Sequence, residues 1–367
     1  MILMTMRVYN FGAGPAMLPE QILREAQQEL LNWEHHGMSV LEIGHRTDQF
    51  QELMAQSEQL LRQLLAIPTT YRVLFLSGAA RTQFAMIPIN LLAKNQQAGY
   101  LVTGVWSSMA FDEANYLHQS AYCVASSYTD NFKSIPKKSS WQIKDNTRYL
   151  YYTPNETING VRLVQPPIID KTLPLIADMT SCLLSEPIDV NDYGLIFAGA
   201  QKNIANAGLT LVIIRDSLLE SITNSPIPTM FDYRTYAKNH SLYATPPTFN
   251  CYLALKMFQW LEQQGGIEAI YRINCEKAQR LYDFIDASKD YYCDVAIEAR
   301  SLMNVCFRLK NPTLEPLFLE RATQQGLLAL RGHRAVGGLR ASIYNAMPLS
   351  GVIKLIDFMI DFANHYT

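Results

Sequence analysis

Short, uninterrupted apolar runs alternate along this chain with longer stretches in which apolar residues return every three or four positions. The runs at 73–76, 100–102, 175–177 and 195–200 are apolar on consecutive positions, and 148–152 is so after its leading Arg148, the pattern of strands buried on both faces. A further apolar run at 209–214 follows within a few residues. Between the runs, Ile22, Leu23, Ala26 and Leu30 follow Pro19 on one helical face, and Phe50, Leu53, Met54, Leu60, Leu61 and Leu64 follow Asp48 on another. Residues 84–92 and a segment from Tyr252 also read as helices, while the polar stretch 125–148 reads as a solvated connection. Strands alternating with helices predict an α/β protein with a largely parallel sheet. After Gly265-Gly266 the order becomes helix (267–285), strand (303–309), helix (316–325), strand (339–343), helix (351–362), which predicts a smaller α+β domain.

The predicted strands matter because ligands of parallel sheets sit at the carboxyl ends of the strands. At those ends stand Ser77 to Gln83, Trp106, Thr157, Asp178 and Lys202. Taken singly each has a plain reading. Ser77 to Gln83 is a strand-to-helix turn or an anion site built from small residues. Trp106 is core filler or a plate for a flat ring. A lone lysine and a lone aspartate are most simply a snorkelling surface residue and a strand cap. Together, an acid and a lysine each at the mouth of a strand match the needs of pyridoxal phosphate chemistry. The lysine carries the cofactor as a Schiff base and the acid keeps the pyridine nitrogen protonated. In the predicted small domain Arg331, His333, Arg334 and Arg340 crowd around three glycines, either a solvated basic loop or a site for phosphate or carboxylate. Asn10 to Ala16 reads as an ordered glycine-rich loop, only weakly a phosphate cradle.

Composition narrows the class. Over 367 residues, 49% are hydrophobic and 17% charged, against a usual charged share of about a quarter. Such a chain hides much of its surface in a large core or a subunit interface. The formal net charge of −2 gives no reason to expect nucleic acid or an anionic membrane as partner. Six scattered cysteines without a CxxC pair favour reduced thiols and a cytoplasmic protein over a disulfide frame or a zinc site. No segment reaches the roughly 18 apolar residues of a membrane span, and 1–10 has no basic leader with a long apolar core.

Six motifs then carry a resemblance over the whole chain from Asn10: Asn10-Phe11 with Gly14-Pro15-Ala16-Met17-Leu18-Pro19; Glu42-Ile43 with His45-Arg46; Pro154-Asn155-Glu156-Thr157-Ile158; Ala198-Gly199-Ala200-Gln201-Lys202-Asn203; Thr245-Pro246-Pro247-Thr248-Phe249; and Gly332-His333-Arg334 with Gly337-Gly338 and Arg340 to Ala346. In these it resembles the phosphoserine aminotransferase family, within the class V aminotransferases of the type I pyridoxal phosphate fold. The resemblance implies a large domain (20–265) and a small one (1–19 and 266–367). It implies Lys202 as the Schiff-base residue, Asp178 on the pyridine nitrogen, Trp106 on the ring face, and Thr157 and Gln201 beside the ring. The backbone of Ala80 and Arg81 would hold the cofactor phosphate, with Ala244 and Thr245 reaching it from the other subunit of a homodimer with shared active sites. Arg340 would hold the substrate α-carboxylate, and His45, Arg46, His333 and Arg334 its phosphate or the distal carboxylate of glutamate. The substrates implied are phosphoserine, glutamate and 2-oxoglutarate, in serine biosynthesis, with 4-phosphohydroxy-threonine of pyridoxine biosynthesis as a further one. Two positions depart from the family: Ala79-Ala80, where glycines are common, and Ala244, where an asparagine is common. The second removes a side-chain hydrogen bond worth about 1 kcal/mol. The rival readings are an alanine–glyoxylate type enzyme, a cysteine desulfurase and a non-catalytic cofactor carrier. A desulfurase needs a cysteine in a mobile loop, and Cys306 falls in a predicted strand. A neutral substrate leaves the basic cluster without a purpose, and a carrier would not need the arginines.

Overall fold

The structure is a computed structural model that describes residues 7–118, 120–168, 170–222 and 226–366. The ends of the expected small domain, 1–6 and 367, lie outside these residues.

A seven-stranded sheet forms the centre. Its strands are β1 (Tyr71–Ser77), β2 (Gln97–Val102), β3 (Ala121–Ser126), β4 (Thr147–Tyr152), β5 (Leu175–Asp178), β6 (Leu195–Gly199) and β7 (Leu209–Arg215). Their order across the sheet is β3-β2-β4-β5-β6-β7-β1, and only β7 runs antiparallel to its neighbours. Alternate residues of each strand feed two apolar layers. Val73, Phe75, Leu150, Tyr152 and Ala198 join helices α1 (Glu20–Glu29), α2 (Asp48–Leu65) and a long helix at 248–263 on one face. Leu74, Leu76, Tyr149, Tyr151 and Phe197 join α3 (Gln83–Leu91) and α4 (Val105–His118) on the other. Burial on both faces is why these strands read as continuous apolar runs.

Strand β3, which no apolar run marks, ends within the first two residues of the stretch expected to be a solvated connection. It is an edge strand whose residues are mostly half-buried or exposed, so it lacks an apolar run. In α1 only Ile22 and Ala26 are buried; Leu23 and Leu30 of the expected apolar face are exposed.

After Gly265, Gly266–Ala287 forms a helix, here α5, followed by a three-stranded antiparallel sheet of β8 (Tyr291–Tyr292), β9 (Asn304–Leu309) and β10 (Leu339–Ser342). The N-terminal Tyr9–Asn10 pairs in parallel with Leu327–Leu328, and Phe11 is fully buried in the apolar cluster of this second sheet. A buried lysine, Lys277 of α5, donates from Nζ to the carbonyls of Ile343, Tyr344 and Met347 at 2.9–3.0 Å. It fixes the segment that follows β10. From that segment Asn345 N donates to Asn203 Oδ1 (3.1 Å), one residue beyond Lys202, and Tyr344 donates to the Ala13 carbonyl (3.0 Å). The second sheet is therefore fastened to the turn that carries Lys202.

Candidate active site

Several strand ends and the starts of helices α3 and α4 meet at the carboxyl edge of the large sheet. β1 ends at Ser77, and Gly78, at φ +112°, turns the chain away; that φ favours glycine. Gly78 N donates to the Gly208 carbonyl (2.9 Å) and its own carbonyl accepts from Thr210 Oγ1 (3.0 Å). Ala79 is extended, at φ −83°, and Ala80–Thr82 forms a 3-10 turn leading into α3. Alanine fits this backbone without strain. The first N–H groups of such a turn have no partner within the helix, and with the helix dipole they form a seat for an anion.

Asp178 is the last residue of β5, paired in register with Phe197 of β6. Lys202 stands in the turn between β6 and β7. Both are buried, at 6% and 8% exposure. Burial raises the Asp178 carboxyl, against hydrogen bonds from Thr180 and the charge of Lys202; Thr180 N donates to Asp178 Oδ1 at 3.0 Å. Burial lowers the Lys202 ammonium to about 8, against the pull of Asp178 and with a push from Arg340. A lysine so placed supplies free amine near neutral pH. The glycine-rich loop packs on this turn: Ala16 N donates to the Gln201 carbonyl (2.9 Å), and Gly14, at φ +140°, lies against Gln201 and Lys202.

Trp106 belongs to the first turn of α4, not to a loop after β2. Its Nε1 donates to Thr157 Oγ1 at 2.8 Å. The Thr157 carbonyl accepts from Arg340 Nη1 at 3.1 Å, while Arg340 Nε is buried without a partner. His333 is pushed below the usual histidine range by burial and by Arg340 and Arg334.

These side chains line one cavity of about 410 Å³ that unites Ala80, Arg81, Trp106, Thr157, Asp178, Gln201, Lys202, His333 and Arg340. The remaining expected residues lie elsewhere on the chain. His45 and Arg46 line a separate cavity with His240 and Ser241, and His45 Nε2 is buried without a partner. Ala244, Thr245 and Arg334 are exposed.

Sequence reasoning passed over a polar web beneath the cavity. Asn155 donates to Ser181 Oγ and Asn304 Oδ1 (both 2.8 Å) and accepts from Ser301 Oγ (2.5 Å); Asn304 reaches Tyr344 OH (3.1 Å). The only signal for it was the position of Asn155 beside Thr157. Glu156, wholly buried between them, was also unassigned.

The donor set suits pyridoxal phosphate: a low-pKa lysine, a buried acid one strand away, an indole, and an open helix N-terminus. The family model "Aminotransferase class-V" matches residues 8–355. The chain belongs to the class-V aminotransferases. It is a pyridoxal phosphate-dependent transaminase, α/β in fold. It is 59% identical over 362 residues to a phosphoserine aminotransferase of Legionella pneumophila (strain Paris), covering 98% of this chain and 99% of that one. The phosphoserine aminotransferase structure from Bacillus circulans subsp. alkalophilus superposes with a TM-score of 0.96 at 43% identity, over 99% of this chain and 100% of that one. A pyridoxal phosphate-bound phosphoserine aminotransferase from Trichomonas vaginalis does so at 0.91 and 39% identity, over 96% and 100%. Among the described residues no helix is long and apolar enough to cross a membrane, and no group of His, Cys, Asp and Glu is placed to hold a metal ion.

Proposed function

We propose that this chain transfers the amino group reversibly between O-phospho-L-serine and 2-oxoglutarate, yielding 3-phosphohydroxypyruvate and glutamate, in the cytoplasm and in the service of serine biosynthesis. The observation that carries this reading is Arg340 inside the cavity, with one nitrogen on the Thr157 carbonyl and Nε unpaired. A half-buried guanidinium whose Nε is buried with a free donor is suited to a carboxylate, and His333 beside it supplies a second anion contact. The phosphoserine aminotransferases at 39–59% identity support the same substrate. Six unpaired cysteines agree with a reducing compartment.

In this reading Ala80 and Arg81 seat the cofactor phosphate on the α3 N-terminus, Trp106 covers one ring face, and Thr157 and Gln201 border the ring. Asp178 holds a proton on the ring nitrogen. Pyridoxal phosphate supplies the electron sink for the carbanion at the substrate Cα. Lys202 Nζ takes the proton from that Cα and delivers it across the site. Arg340 orients the α-carboxylate so that the Cα–H bond faces Lys202. The division of the chain at Gly265-Gly266, with 1–19 grouped with 266–367, is part of this proposal; the pairing of Tyr9 with Leu327 and the burial of Phe11 support it.

The distal anion is assigned to Arg334 and His333 together with His45 and Arg46 of the partner subunit, and Ala244 and Thr245 of the partner subunit reach the cofactor phosphate. The support is that His45, Arg46, Ala244 and Thr245 lie outside the cavity of their own chain, close in sequence to the exposed apolar residues Leu31, Met38, Leu41 and Tyr243.

Two measurements test the proposal. Arg334→Ala lowers kcat/KM for phosphoserine by roughly 10- to 100-fold, the worth of a charge-assisted hydrogen bond, and leaves the weak reaction of serine nearly unchanged. Arg340→Ala lowers both substrates alike. Equal proportional losses for both substrates in both variants would refute the division of roles. For the shared site, Lys202→Ala and Arg46→Ala proteins are mixed and allowed to re-pair, with exchange verified by a mass tag on one parent. One site of each mixed dimer then carries both defects and the other neither, so about a quarter of wild-type activity returns. No recovery despite demonstrated exchange would place Arg46 in its own chain's site.

A further inference from the structure

Two helices, α3 and α4, start at the carboxyl edge of the sheet, and each start is a potential anion seat. That of α3 opens into the cavity. That of α4 is filled by the protein itself. Glu156, with no exposed surface, accepts from Trp106 N at Oε2 (3.0 Å) and from Ser107 N at Oε1 (2.9 Å), and Asn159 Oδ1 accepts from Val105 N (3.3 Å). Three successive N–H groups of α4 are thus capped from the hairpin of Asn155–Glu156 and Val161–Arg162, some 50 residues away in sequence. Glu156 forms no salt bridge among the described residues. Burial pushes its carboxyl up to about 7, against the hydrogen bonds from Ser107 and Trp106. A buried carboxylate without a cation is costly, so its place calls for a purpose.

The purpose lies in Trp106. Its backbone N is held by Glu156 and its ring Nε1 by the next residue, Thr157 (2.8 Å). Trp106 is thus tied through its backbone and through its ring to one hairpin, and the Thr157 carbonyl ties that hairpin to Arg340. Gly104 leaves the room required: a Cβ there would lie 2.3 Å from Glu156 Cδ.

We propose that Glu156 is a positioning residue that sets the pitch and height of the Trp106 indole over the cofactor ring. It acts through Trp106 and touches neither cofactor nor substrate. The inference rests on the pyridoxal phosphate reading of the cavity and not on the identity of the amino-acid substrate.

The test is a double-mutant cycle in the full-length protein, with Glu156→Gln and Trp106→Leu alone and combined. The amide keeps the shape but sets an NH₂ against one of the two backbone donors. The readouts are the dissociation constant of pyridoxal phosphate, its induced visible circular dichroism, and hydrogen exchange at the Trp106 indole N–H in protein labelled with ¹⁵N-tryptophan. Glu156→Gln is expected to weaken the cofactor about tenfold, diminish the dichroic band and speed indole exchange at least tenfold, while changing cofactor affinity less than twofold in the Trp106→Leu background. An equal loss in both backgrounds, or an unaltered band and unaltered exchange with Trp106 present, would overturn the proposal. Should Glu156→Gln not fold, Glu156→Asp, which retains the charge on a shorter arm, is put through the same cycle and judged by the same outcomes. Wild-type protein that takes up no pyridoxal phosphate would instead refute the reading of the cavity, so the two failures are distinguishable.

Discussion

Lys202→Ala lowers turnover by roughly 10⁴-fold or more while leaving a folded protein that still takes up pyridoxal phosphate noncovalently. In the proposed mechanism the side chain contributes twice: as the amine that attaches the cofactor, and as the base that moves the proton at the substrate Cα, a contribution of about 10²- to 10⁴-fold by itself. Ala80, Trp106, Thr157 and Asp178 remain to bind the cofactor, since none depends on the lysine for its position. The same environment sets a pH dependence. The amine attacks only when neutral, and burial brings its pKa to about 8. The rate of cofactor capture by cofactor-free protein therefore rises with pH to a midpoint near 8, well below that of an exposed lysine. Stopped-flow absorbance over pH 6–10, an experimental range of roughly two units either side of that midpoint, measures it. More than about a hundredth of wild-type turnover in homogeneous Lys202→Ala protein would remove Lys202 from the chemistry.

Asp178→Asn costs roughly 10³-fold in kcat, of the order expected for removing a preorganised charge beside a charge-developing centre. The carboxylate is buried at the end of β5 with Thr180 N on Oδ1. Asparagine keeps the shape and that hydrogen bond but cannot hold a proton on the ring nitrogen by charge. KM for phosphoserine changes little, since Arg340 and the distal cluster are untouched. Replacing the cofactor by its N-methylated analogue, whose ring nitrogen is permanently positive, restores much of the loss. A full-strength Asp178→Asn enzyme with the ordinary cofactor would deny the role.

The central sheet was legible because strands buried on both faces leave runs with no polar interruption, as at 73–76 and 195–200. β3 was not, because an edge strand half open to solvent carries no such run. The antiparallel course of β7 was equally hidden: an apolar run states burial and not direction. Within the site, Asp178 and Lys202 stood out as charges closing apolar runs. Glu156 did not, since a carboxylate that caps a helix 50 residues away leaves no periodic mark in sequence. Trp106 was found by type and position, but its place in the first turn of α4, and hence its double fastening, required the fold. His45 and Arg46 came from resemblance alone; their own chain sets them around a different cavity. Leu23 and Leu30 share a helical face with Ile22 and Ala26 by spacing, yet spacing cannot distinguish positions turned to the core from those left exposed.

The most direct measurement follows the cofactor itself. Purified, cofactor-loaded protein is mixed with a small excess of O-phospho-L-serine in the absence of any keto acid, and the visible absorption of the cofactor is recorded. The account predicts that this band is lost, with one equivalent of 3-phosphohydroxypyruvate formed per site, and that 2-oxoglutarate then restores it with release of glutamate. Alanine at the same concentration leaves the band in place, because the Arg334 and His333 cluster has no distal anion to hold. A band unchanged by phosphoserine, or lost equally fast with alanine, would contradict the account.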